Sequence, residues 1–274
     1  MTFADYLSLL SLGGVLAILA VVALLPLSFS SIWRARLPED STIVLPRIQT
    51  PWVMAACLVV LAVMIALFVF GESLAPPISP PAVAIVGATL VLLIAYLTRL
   101  DSVGGILRDV DWETLRFFVC IFVLVGALDK TGVIGALGSA MGDWLGGNVV
   151  LASFLLLVGI GCLSSIVPNI PLVVAMVPLV KQYAVGAGLA TQAEIEAGYG
   201  HMPATVLPLF FAMCFGATLG GNATLLGASS NIVAGGICAQ AGRPLTFMTF
   251  LRFGVPVAAL QLAVAGAYVW IRFR

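Results

Sequence analysis

Gly216–Gly236 reads GATLGGNATLLGASSNIVAGG. It lies inside a run from Ala197 to Gly242 with no Asp, Glu, Lys or Arg. That run is about twice the roughly 20 apolar residues that carry a helix across a bilayer. Its middle is not apolar: Gly220, Gly221, Asn222, Thr224, Gly227, Ser229, Ser230 and Asn231 fall there. Glycine costs a helix about 1 kcal/mol relative to alanine, and Ser, Thr and Asn compete for its backbone hydrogen bonds. The pattern predicts a spanning helix broken at mid-depth. Irregular backbone at that depth is tolerated only inside protein or along a water-filled cavity, and transporters use such breaks to hold ions. The plainer reading is a helix-packing face, since membrane helices approach one another through small residues. Packing alone does not need two asparagines and a Gly-Gly pair.

The rest of the chain suits a membrane. Of 274 residues, 62% are hydrophobic and 9% charged, whereas a soluble domain carries about 25% charged residues. The net charge of zero gives no reason to expect a nucleic-acid partner. Cys57, Cys120, Cys162, Cys214 and Cys238 are scattered through apolar runs without metal-ligand spacing, so they read as small buried residues. The first apolar run is too long for a signal h-region and follows no basic residue.

Working outward, the spacing predicts a first span over Leu7–Ser28, a polar connector over residues 30–51, and spans over about 52–70, 82–98 and 112–128, with the Pro-rich turn Ala75–Pro81 between the second and third. Asp111 and Glu113 stand where they cap the fourth of these helices and favour its dipole. Asp129–Asn148 is Gly-rich and amphipathic, which predicts an interfacial segment. Trp144–Val180 is charge-free again, centred on GIGCLSSIVPNIP. Pro168 and Pro171 make one straight helix through this point costly. The economical reading is a re-entrant helical hairpin over about 149–184 with Ser164, Ser165 and Asn169 near its tip; the alternative is one kinked span. His201, the single histidine, reads as interfacial rather than as a proton relay. The broken helix takes about 203–240, and a last span about 250–271.

Lys and Arg in short loops set orientation. With residues 30–51 in the cytoplasm and the hairpin entering and leaving from outside, Arg34, Arg36, Arg47, Arg99, Arg108 and Arg243 collect inside. Lys130 and Lys181 fall outside, and both termini lie outside. A bacterial inner membrane is the expected location.

Thr2-Phe3-Ala4-Asp5-Tyr6-Leu7 resembles Thr246-Phe247-Met248-Thr249-Phe250-Leu251. Each opens an apolar span, and the charge map puts them on opposite sides, as inverted repeats require. On this reading residues 1–29 are the last helix of a first repeat, the remainder of which is absent, and 52–274 form the second repeat.

The segments VDWETLRFFVCIFVLVGALDKTG, SSIVPNIPLVVAMVPLV and LGGNATLLGASSNIVAGG, with PLTFMTFLRFGVPV after them, resemble the second half of the ion transporter superfamily. The closest match is its citrate-transporter-like, arsenical-pump and sodium/proton-antiporter group. The likeness is strong from about Asp111 and loose before it. It implies an all-α membrane fold in which each of two inverted repeats carries a helical hairpin and an unwound helix, with substrate and sodium between them. By position it implies Ser164, Ser165 and Asn169 at the hairpin tip. It likewise implies Gly220, Gly221, Asn222, Thr224, Ser229, Ser230 and Asn231 at the unwound helix, with Na⁺ at Asn169, Asn222 and Asn231. Antiporter-like relatives tend to place an acid just before the hairpin Asn; here Pro168 stands there, and neither charge-free core holds a carboxylate. That tilts the expectation toward transport of a small anion (a di- or tricarboxylate, arsenite or a similar inorganic anion) coupled to Na⁺ or H⁺, over proton antiport.

Relatives carry both repeats in one chain, so the expectation is a half or truncated transporter. Its partners would be the bilayer, the anion and a complementary N-terminal half or a second copy. An inactive or accessory membrane subunit is the other reading. An enzyme would need a nucleophile–base pair or metal ligands at depth, and the cores supply neither.

Overall fold

The computed structural model describes residues 3–28, 30, 34, 50–99, 102–108, 110–197 and 202–273. His201 lies outside them, as do Thr2 of the short repeat and Arg36, Glu39, Asp40 and Arg47 of the connector. Every regular element among the described residues is helical. Among the described residues, five single helices are long and apolar enough to cross a membrane: Leu7–Leu27, Pro51–Phe70, Pro80–Thr98, Asn169–Gly186 and Phe247–Arg272. A bent pair, Trp112–Lys130 with Val133–Leu145, adds a sixth if it crosses as one. The chain is an all-α, multi-pass integral membrane protein, and it divides into two compact units.

The unit built on Arg34–Leu115, with the first seven residues, centres on α2 (Pro51–Phe70) and α3 (Pro80–Thr98) packed together. Both open on proline, whose missing N–H is no loss in a first turn. Between them, Gly71–Ser73 forms a turn of 3₁₀ helix, and the Ile78 N–H donates to the Gly71 carbonyl at 2.9 Å. A short α4 (Val103–Arg108) follows. Asp111 then caps α5 (Trp112–Lys130): its carboxylate accepts from the Thr114 N–H at 2.9 Å and the Thr114 hydroxyl at 2.5 Å. Those bonds hold its pKa below the ordinary carboxylate value.

The second unit, Ser8–Trp33 with Arg116–Arg274, holds both expected interruptions. It takes in nearly all of α1 (Phe3–Ser28). α5 passes into α6 (Val133–Leu145) through a 67° bend, made where Gly132 adopts a positive φ of 76°. The amphipathic stretch is thus a helix, and it packs along α8 (Asn169–Gly186). α7 (Val149–Ser164) has 16 residues, about 24 Å at 1.5 Å each, short of the roughly 30 Å hydrocarbon layer. The chain turns over Ser165–Pro168 and comes back along α8. The two ends of this hairpin meet: the Tyr183 hydroxyl donates to the Gly146 carbonyl at 3.0 Å.

After a small α9 (Gln192–Glu196), α10 (Leu207–Gly220) fills the middle of the unit, with every residue buried except Leu207, Cys214 and Thr218. A helix apolar all round belongs in an interior. It packs most extensively on α7 and also against α8 and α12 (Phe247–Arg272). By contrast α1 exposes Leu12, Val15, Ile18 and Leu19, the kind of surface lipid covers.

Candidate functional site

The helix that starts at Leu207 stops at Gly220. Gly221–Ala223 tighten into 3₁₀ helix, the backbone runs extended at Thr224 and Ala228, and α11 (Ser229–Gln240) begins afterwards. Glycine is required here by close approach. A Cβ on Gly220 would collide with the Gly161 backbone of α7, its Cα at 2.5 Å. A Cβ on Gly221 would meet the Gly227 carbonyl oxygen at 2.7 Å, and one on Gly227 would strike the backbone of Gly221 in return. Thus the two arms of the break lie backbone to backbone.

Two hydroxyls tie this break to the hairpin tip. Ser164, fully buried at the end of α7, donates to the Ala217 carbonyl at 2.5 Å. Thr224, itself buried, donates to the Ser165 carbonyl and accepts from the N–H groups of Leu226 at 3.2 Å and Gly227 at 3.0 Å. One threonine therefore clasps the hairpin and folds its own loop.

Asparagines set the polarity. Asn231, half-buried, donates its NH₂ to the carbonyls of Gly221 at 3.2 Å and Thr224 at 2.9 Å. Both amide hydrogens are then spent on backbone, and Oδ1 is the atom left to accept. Asn222 donates to the side-chain oxygen of Gln261 on α12 at 2.8 Å. Asn169, the first residue of α8, is exposed, and its Oδ1 takes the Ile170 N–H at 2.9 Å. Among the described residues no hydrogen bond joins Asn169 to Asn222 or Asn231. Ser229 and Ser230 are exposed in the first turn of α11.

Of the ten residues singled out from sequence, Ser164, Ser165, Gly221, Thr224 and Asn231 form one hydrogen-bonded or close-packed cluster, with Gly220 against α7. Asn222 is attached through Gln261, while Asn169, Ser229 and Ser230 stand at helix starts. Gln261, 6% exposed, is the residue sequence reasoning passed over; a lone amide inside the last apolar span was the signal. A cavity of about 980 Å³ lies elsewhere: it is lined by Asn148, Ser153, Thr205 and Arg272 among apolar side chains and holds none of the ten. No group of three or more His, Cys, Asp or Glu that could hold a metal occurs among the described residues. The cluster's oxygens belong to amides, hydroxyls and the backbone.

A helical membrane protein with a hairpin tip clasped to a broken helix invites comparison with known transporters. A family model described as citrate transporter matches residues 1–197, which includes the hairpin and ends before the break. The chain belongs to the citrate transporter family. An uncharacterized transporter of Synechocystis is 51% identical over 274 residues, covering 99% of this chain and 61% of that protein. Another, from Mycobacterium bovis, is 36% identical, covering 100% of this chain and 60% of that one. The human P protein is 34% identical over 232 residues, 82% of this chain and 26% of its own length. The chain thus spans about three-fifths of the first two relatives. No solved structure matches.

Proposed function

We propose that the chain serves in secondary active transport of a small anion (a di- or tricarboxylate, arsenite or a similar inorganic anion) coupled to Na⁺ or H⁺. The observation that carries this is the direction of the amides: Asn231 gives both hydrogens to backbone carbonyls, so an oxygen is what it offers. An amide oxygen beside backbone that has left the helical pattern suits a hard cation. An anion has its own place. α8 starts at Asn169 and α11 at Ser229, a few residues past the Thr224–Ser165 bond, and neither has a side-chain cap from its N-cap residue. A helix N-terminus favours negative charge. Charge-free cores in both segments leave no carboxylate to carry a proton, which favours Na⁺ as the coupling ion. Residues 30–51 are proposed to lie in the cytoplasm.

The test is uptake of labelled citrate, succinate and arsenite into proteoliposomes under an imposed Na⁺ or proton gradient. The chain is reconstituted alone and together with the part of the Synechocystis relative that the match leaves uncovered. Gradient-driven uptake of one anion, abolished by Asn231→Ala, is expected. Uptake indifferent to both gradients, or unchanged in Asn231→Ala, sinks the reading.

A further inference from the structure

α12 is an unbroken helix that runs beside the break. Its buried face is Gly254, Ala258, Gln261, Ala265 and Val269, spaced as one stripe of a helix. Four of the five are small or apolar. Gly254 lets α12 touch the broken segment: a Cβ there would lie 2.7 Å from the Asn222 carbonyl oxygen and 2.5 Å from that of Ala223. Two turns further on, Gln261 reaches back to the same residue and accepts from Asn222 Nδ2 at 2.8 Å. So α12 grips Asn222 at backbone and side chain alike. A buried amide in an apolar stripe loses hydration and is costly unless hydrogen-bonded. Leucine would satisfy the packing here at no such cost, so the polar group has a use beyond filling space.

That use follows from what an amide is. Asn222 presents either an oxygen or an NH₂ to the interior of the break, and nothing in its own backbone decides which. Gln261 Oε1 takes the NH₂ and turns the Asn222 oxygen the other way. Asn231 is oriented likewise by the carbonyls of Gly221 and Thr224. We infer that Gln261 is a positioning residue for cation binding: it fixes the Asn222 amide with its oxygen available. The inference rests on the cation-coupled reading above.

The test is the rise in thermal unfolding midpoint of the purified full chain on titration with NaCl, with choline chloride as the ionic-strength control. Each variant is compared with its own Na⁺-free baseline. Wild type is expected to gain stability with Na⁺ and Asn231→Ala to lose the response. Gln261→Leu should raise the half-saturating Na⁺ concentration about tenfold, the scale of one oriented hydrogen bond. Gln261→Glu, a pure acceptor at neutral pH, should restore it and make the response weaken as the new carboxyl protonates. A Gln261→Leu titration superimposed on wild type, with Asn231→Ala unresponsive, overturns this inference and leaves the cation site standing. If Gln261→Glu behaves as Gln261→Leu, Asn222 is not the donor and the orientation argument falls. Wild type indifferent to Na⁺ overturns both.

Discussion

Gly220 and Gly159 make a controlled pair at the scale of single residues. Both are glycines on packed helices of the same unit. A methyl at Gly220 has to displace the Gly161 backbone, whereas a methyl at Gly159 meets nothing within 4 Å. Overpacking costs roughly 1–3 kcal/mol or more when backbone must move, and alanine in an open helical position gains up to about 1 kcal/mol over glycine. Gly220→Ala should therefore lower the thermal midpoint in detergent sharply, and Gly159→Ala should leave it equal or higher. Equal shifts in the two would mean that α7 and α10 do not touch at Gly161. Thr224 gives a second case. Thr224→Val keeps the shape but strands the Ser165 carbonyl and the N–H groups of Leu226 and Gly227. Each buried group left unpaired costs about 1–3 kcal/mol. Thr224→Ser keeps the hydroxyl and should recover most of the loss; a serine variant as unstable as valine would show that the methyl, not the clasp, matters.

Helix ends decide what happens at the scale of elements. α9 is held by a reciprocal cap: the Glu194 N–H donates to the Thr191 hydroxyl at 3.3 Å, while the Thr191 N–H and hydroxyl each donate to the Glu194 carboxylate at 2.8 Å. Those bonds to the charged form hold the Glu194 pKa below its ordinary value. A depressed carboxylate pKa adds stability that is present above the unfolded value and lost as pH falls through the folded one. Amide exchange at Ala197, whose N–H donates to Ala193 at 2.9 Å, should accelerate as pH drops below the usual glutamate range of about 4, after correction for intrinsic rates. In Thr191→Ala exchange should already be fast at neutral pH, with no such step. A step that survives the substitution assigns the titration to another group. The same local logic explains what the sequence shows and what it hides. Pro168 and Pro171 end one helix and start another within a few residues, and Gly220–Gly221 with Asn222 cannot continue a third; chain-local chemistry of that kind is visible in any window. Gln261 is not, because its partner is 39 positions away and its own window looks like packing. Asn169 is the converse case. Its position at the tip puts it in the expected cluster, and its Oδ1 accepts from the neighbouring Ile170 N–H at 2.9 Å, a local contact that composition cannot reveal.

For the whole molecule, the question that separates the readings is whether α7 and α8 cross the membrane or dip into it. If the pair were one kinked span, Gly147 and Gln192 would lie on opposite sides. The Tyr183 hydroxyl donates to the Gly146 carbonyl at 3.0 Å, the contact expected of a hairpin whose two ends share a side. On the proposed orientation, with residues 30–51 in the cytoplasm, charge says which side. Arg99 and Arg108 precede α5, Arg243 follows α11, and Lys181 is at the far end of α8; arginine-rich short loops stay in the cytoplasm. A hairpin that returns to its starting side keeps the Ala241–Leu245 loop with the other arginine-bearing loops, whereas a full crossing would expel it. None of the five cysteines is in a disulfide, so labelling needs a background in which they are replaced. In that background, Gly147→Cys and Gln192→Cys should react with an impermeant maleimide from outside, and Ala241→Cys only after the membrane is opened. Ala241→Cys labelled from outside, with Gly147→Cys and Gln192→Cys split between the two faces, would make the segment a crossing helix. Ser164 and Ser165 would then lose their place at a hairpin tip, and with it the argument that they and Thr224 enclose a coupled ion.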